Sequence, residues 1–144
     1  MASVLFRQEG CEQESDSELF RAKQVDEANS LTRQANLHFA EHEYGQAELL
    51  YWRALRIRME TVGPNHMDVA ASLHDLAELY EVQDQCAEAG RFYRLSLDIK
   101  EKILGPHHPT VLRSLRNLAD FYRDWGMYAR QPDLKEAGNP GEGE

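Results

Sequence analysis

Residues 63–80 read GPNHMDVAASLHDLAELY and residues 105–122 read GPHHPTVLRSLRNLADFY. Both open on Gly-Pro-x-His, pass through Val and Ser-Leu, and end on Leu-Ala-x-x-Tyr, with first residues 42 positions apart. A fixed period of this length marks a stacked repeat, in which one supersecondary unit cannot bury its apolar face until a neighbour covers it.

Shifting the sequence by 42 extends the match in both directions. Ser30-Leu31, Ser72-Leu73 and Ser114-Leu115 fall in register, as do Ala35, Ala77 and Ala119. Between the first two units Ala47 meets Ala89, Tyr51 meets Tyr93, Leu55 meets Leu97, Ile57 meets Ile99, Gly63 meets Gly105 and His66 meets His108. Inside a unit the apolar residues have helical spacing: Leu73, Leu76, Ala77 and Tyr80 stand at i, i+3, i+4 and i+7, and Phe92, Leu95, Ser96 and Ile99 repeat the pattern. Each unit is therefore two helices, over about 68–83 and 87–104 in the second unit. Gly105-Pro106 stops the second helix, because proline cannot extend the hydrogen-bond ladder. Ala77 and Ala89 mark where two helix backbones approach closely, with Tyr80 and Tyr93 filling the wider gaps.

The first unit carries Gln34 and His38 where the others have Leu and Tyr, which suits a terminal unit with a more polar face. Ahead of it, Ser15 followed by Glu18 reads as a capping box, predicting a helix that starts near residue 16 and runs into Leu31. The third unit breaks after its first helix: Gln131 stands where Ala47 and Ala89 predict a small residue, and Pro132 follows. The expected organisation is an N-terminal segment over 1–24, partly disordered with a leading helix, then repeats over 25–131, near 28–62, 70–104 and an incomplete 112–131. An acidic tail rich in Gly and Pro, expected to be disordered, fills 132–144.

With 42% apolar and 28% charged residues the chain is globular in composition rather than disordered. A formal charge of -9 repels phosphate backbones and anionic lipid, which argues against nucleic-acid and membrane partners. Cys11 and Cys86 make no disulfide framework, the N-terminus turns acidic too early for a secretory signal, and no apolar run approaches membrane-spanning length. The reading is a cytoplasmic protein.

Candidate chemistry is sparse. His38 and His42 have metal-ligand spacing, but no third ligand is near in sequence and His38 fills the slot of Tyr80 and Tyr122, which favours packing. His66, His107 and His108 sit in the inter-repeat turns, where recurrence favours a turn or cap role. Cys86 occupies the slot of Tyr44 and Tyr128, so it reads as a packed side chain rather than a nucleophile. No phosphate loop, dinucleotide fingerprint or nucleophile elbow is present. The expectation is no enzyme, no metal and no cofactor.

Leu73, Leu76, Ala77, Tyr80, Ala89, Tyr93 and Ser96 resemble the large-large-small-large, small-large-small pattern of a tetratricopeptide repeat. The 42-residue period, with SLxxLAxLY and EKxLGPxHP phrases, is most similar to the longer repeats of kinesin light chain and nephrocystin-type proteins, over roughly residues 25–128. The resemblance implies an all-α tandem helix-turn-helix solenoid of about two and a half repeats and five to six helices. It also implies a non-catalytic adaptor or scaffold that binds a peptide or helix in a concave groove, with motor-cargo or ciliary work.

The first helix of each pair lines the concave face of such a fold. Counting from the apolar positions puts Asn29, Arg33 and Asn36 of the first unit, His74, Asp75, Glu78 and Glu81 of the second, and Arg113, Arg116, Asn117 and Asp120 of the third on that face. Arg116 and Asp120 are four apart, within reach of a local ion pair on a solvated face. In the resembling family an asparagine two residues after Ser-Leu holds the peptide backbone, and only Asn117 matches it; Asp75 and Arg33 stand at the other two positions. Of the carboxylate-clamp version, Asn36 fits while Thr32 replaces the expected cation. Glu78 and Glu81 make a mixed or basic peptide the easier ligand. The broken third unit leaves Leu118, Phe121, Tyr122 and Trp125 without their partner helix, an end face for self-association or for completing another repeat stack.

Overall fold

The computed structural model describes residues 2–126, with side chains from Asp16 onward. The proposed tail and the break at Gln131-Pro132 lie outside the described residues. Five helices and no strand are present among these residues: α1 (Ala2–Ala40), α2 (Tyr44–Val62), α3 (Met67–Val82), α4 (Cys86–Leu104) and α5 (Pro109–Asp124). The chain divides into two units after Pro64. In the first, α1 packs on α2; in the second, α3 packs on α4 and α4 on α5.

The helices of the second unit begin and end within about one residue of the spacing-based expectation. The leading helix differs. It starts at Ala2 and runs unbroken through Ser15, so no helix begins at the Ser-x-x-Glu pattern. A local capping motif cannot stop a helix whose interior lacks proline and holds one glycine, Gly10.

Both recurring turns are built twice in the same way. His42 and Asp84 take left-handed backbone angles (φ 64° and 60°), which folds the next residue back: Glu43 N–H donates to the His38 carbonyl at 2.8 Å and Gln85 N–H to that of Tyr80 at 2.9 Å. At the inter-repeat turns the histidine is the punctuation that the sequence suggests. The Nδ1 of His66 accepts from Asp68 N–H at 3.0 Å, and that of His108 from Thr110 N–H at 3.1 Å, satisfying one orphan donor at the start of α3 and α5. Pro109 follows at the first position of α5, where its missing N–H costs nothing. Gly63 and Gly105 close α2 and α4 at φ 89°, ψ 163° and φ 93°, ψ 156°, a region open essentially to glycine alone.

Packing follows the small residues. Ala28, Leu31 and Ala54 form a core in the first unit, with Leu50 and Ile57 against it, and Ala35 and Ala47 are fully buried. In the second unit Val69, Leu76 and Leu79 are the largest fully enclosed apolar side chains, and Tyr80 stacks on Phe92 with ring centres 5.4 Å apart. The buried Ser96 hydroxyl donates to the Ala70 carbonyl at 2.8 Å, so this small, packing-permissive residue leaves no polar orphan. Leu95, expected on the buried stripe, is exposed.

The end-face expectation is corrected here. Leu118, Phe121 and Tyr122 are buried; of the four residues, only Trp125 is exposed, at 41%. The cause is Gly90 on α4. A Cβ there would collide with the Tyr122 hydroxyl, so the missing side chain is the seat for the Tyr122 ring, while Phe121 meets Tyr93 edge-on at 5.4 Å.

Two stability outcomes follow from these contacts. Gly105→Ala, which meets no neighbour, is expected to cost about 1–3 kcal/mol through backbone strain alone. Gly90→Val is expected to cost about 1–3 kcal/mol by displacing Tyr122. Urea unfolding monitored by circular dichroism measures both; an unchanged midpoint for either variant would contradict its cause.

Candidate functional site

The second unit concentrates polar side chains where α3, α4 and α5 converge. His74, Tyr93, Ser96, Leu97, Lys100, Ser114 and Asn117 line a crevice of about 20 Å³, room for a water-sized group rather than a ligand. Its rim is ordered by hydrogen bonds. His74 Nε2 lies 2.9 Å from Glu78 Oε1, and its ring meets Tyr93 edge-on at 5.3 Å. The Tyr93 hydroxyl donates to Glu81 at 2.6 Å, and Lys100 Nζ donates to Ser114 Oγ at 3.2 Å.

These contacts set the protonation states. Burial pushes the Tyr93 phenol up, and the bond to Glu81 pushes it further, so the hydroxyl remains a donor. The His74 hydrogen bond holds the Glu78 carboxyl below its usual range, against an opposing effect of burial. Burial lowers the Lys100 amine, a partly desolvated cation. Such a cation is poised to accept a carboxylate or carbonyl, because a partner restores part of the solvation that it lost.

The sequence-predicted residues distribute as follows. Asn29 accepts from Arg58 at 3.0 Å and Asn36 accepts from the Tyr51 hydroxyl, so both asparagines tie α2 to α1 through their carbonyl oxygens. Arg33 is exposed. Asp75 is half-buried and already engaged, and Arg113, Arg116 and Asn117 are exposed on α5. Asp120 lies 3.5 Å from Arg123, one turn on, instead of pairing with Arg116 as the four-residue spacing suggests; an i,i+3 pair on a helix face is equally within reach. Sequence reasoning missed Tyr93 and Lys100 because both sit on the second helix of the pair. Lys100 had a signal: it fills the slot of Arg58, so a cation recurs there with the 42-residue period.

Elsewhere the chemistry is thin. His42 does not join His38, since its left-handed backbone falls beyond the end of α1 and its Nδ1 sits 2.7 Å from the Tyr44 hydroxyl. His38 instead gathers with Glu41 and Glu43, each offering one donor atom within 4.8 Å of the others. Hydrogen bonding to Glu41, then to His38, holds the Glu43 carboxyl low. The Cys86 thiol is pushed up by burial and by Asp84 and Glu81, which keeps it protonated and a poor nucleophile. No helix among the described residues is long and apolar enough to cross a membrane.

A change in the acid branch of stability is expected from the His74–Glu78 pair. A carboxylate whose folded pKa is depressed stabilises above its unfolded value, 4.5, and that contribution disappears as pH falls through the lower folded value. Half the side chain remains in water, so the effect is a fraction of a kcal/mol. Glu78→Gln is expected to melt slightly below the parent at neutral pH, with the gap closing below about pH 4.5. Calorimetry across that range measures it, and a gap that widens in acid would contradict the assignment.

Comparison with known proteins gives a consistent result. The sequence profile of the tetratricopeptide repeat matches residues 26–102 and, in a second register, 77–130. A crystal structure described as "Podosopora anserina putative kinesin light chain nearly identical TPR-like repeats" superposes with a TM-score of 0.64 at 26% identity, covering 90% of this chain. The match takes in 66% of that structure's length. No curated protein matches.

Proposed function

The chain belongs to the tetratricopeptide repeat family, and on that premise we propose that it is a non-catalytic adaptor whose second unit holds an extended peptide of mixed charge along α3 and α5. Repeats of this family generally mediate protein–protein interaction. The observation that carries the peptide reading is the crevice at which α3, α4 and α5 meet, because it combines donors and acceptors in fixed positions. Asn117 offers both an amide N–H and a carbonyl on an exposed helix face, the pairing that a peptide backbone needs. Lys100 and His74 supply the cationic and polar end, and Glu78 the anionic one. A peptide with a carboxylate near Lys100 and a basic residue near Glu78 meets complementary charge at both places. The likeness to kinesin light chain repeats supports a motor-cargo setting for this work.

The rival reading, a fragment that self-associates through its end or completes another repeat stack, keeps only Trp125 as an exposed residue of the four at that end.

In a titration with short peptides of alternating Glu and Lys followed by NMR, amide shifts are expected to cluster on α3 and α5. Asn117→Ala and Lys100→Met should each weaken binding about tenfold, the scale of one lost charged or amide hydrogen bond, with the urea midpoint retained. Shifts confined to other helices, or equal losses of binding and stability, would overturn the assignment.

A further inference from the structure

α2 has a second face that the 42-residue comparison singles out. At 100° per residue, Ala47, Tyr51 and Ala54 point to the buried side, and Leu49, Trp52, Arg53, Arg56, Met59 and Glu60 point away from it. Leu49 is 68% exposed, Trp52 40% and Met59 44%. The same six positions on α4 are Arg91, Arg94, Leu95, Asp98, Glu101 and Lys102. A face that carries one apolar residue among six in one repeat thus carries three, Leu49, Trp52 and Met59, in the other. Leu49, Trp52, Arg53, Leu55, Arg56, Met59 and Glu60 bound a shallow groove of about 570 Å³ there.

We propose that this face of α2 docks an acidic amphipathic helix of a partner protein. The spacing fits a helix: Leu49, Trp52 and Met59 stand at i, i+3 and i+10 along the seam of a two-helix packing about 15 Å or three turns long, with the charged Arg56 at i+7 inside that seam. The charge specifies acid. In a chain of net -9, the groove is lined by two arginines, Arg53 and Arg56, with Glu60 the one carboxylate among its lining residues. Their present ion pairs are loose: Arg56 lies 3.6 Å from Glu60 and Arg53 3.9 Å from Glu27, all four well exposed. Pairs of this kind contribute little, so exchanging them for a partner's carboxylates loses almost nothing while the apolar seam is covered. A second copy is the poorer occupant, because it would bring together two chains of -9.

The test uses a fluorescein-labelled helical peptide of ~18 residues with Leu at heptad a and d positions and Glu on its flanks, and a counterpart with Lys for Glu. Anisotropy is expected to show the acidic peptide binding at least ~10-fold more tightly than the basic one. In a Trp125→Phe background the remaining tryptophan, Trp52, should shift its emission to the blue on binding. The triple variant Leu49→Arg, Trp52→Arg, Met59→Glu, which installs the residues of α4, should lose ~10-fold or more in affinity without change in circular dichroism or melting, and Arg53→Glu with Arg56→Glu should weaken the acidic peptide selectively. Asn117→Ala should leave this binding intact, which separates the face from the peptide site on the second unit. Equal affinity for both peptides, no binding of either, or indifference to the triple variant would overturn the proposal. A dimer in sedimentation that the triple variant dissolves would overturn it in favour of a second copy.

Discussion

Close approach of helix backbones at a few alanines is the constraint from which the remaining packing follows. Ala35 and Ala47 in the first unit, and Ala77 and Ala89 in the second, have no exposed surface. A larger side chain at any of them would wedge its pair apart, and the aromatic contacts would open with it. Because the backbones are close at these points, the gaps beside them are wide enough for Tyr51, Tyr80 and Phe92. Gly90 takes the same principle one step further by removing the Cβ altogether, and Tyr122 of the next helix fills the space.

Tyr93 shows how that packing reaches the proposed peptide site. Its ring lies between His74 and Phe121, joining α3 to α5 through α4, and its hydroxyl is anchored on Glu81. The polar rim is therefore positioned by a partly buried aromatic rather than by flexible surface side chains. That preorganisation is what limits the entropy cost of holding a peptide.

The fold was legible because periodicity is redundant: the 42-residue spacing, the alanines, the helix-stopping glycines and the histidines all mark the same register. The capping role of His66 and His108 was likewise visible as recurrence. What was not legible depended on contacts that the period does not encode. Tyr51 and Tyr93 share a slot, yet one hydroxyl bonds Asn36 and the other Glu81, since Glu78, the counterpart of Asn36, is taken by His74. The end-face reading expected no partner helix for α5 from the sequence that follows it and overlooked that Gly90 lets α4 seat Tyr122. The apolar face of α2 hid for the opposite reason: it is a departure from the repeat, and a search for likeness passes over departures.

All the substantial helix-to-helix packing within each unit joins neighbours in the chain, α1 with α2, α3 with α4, and α4 with α5. Such local topology has a kinetic meaning. Little loop entropy must be lost before a contact forms, so each hairpin can nucleate by itself and rapidly. During synthesis the first hairpin can close as soon as Val62 has left the ribosome, and the paired turns at His42 and Asp84 would set the order of assembly from the N-terminus onward.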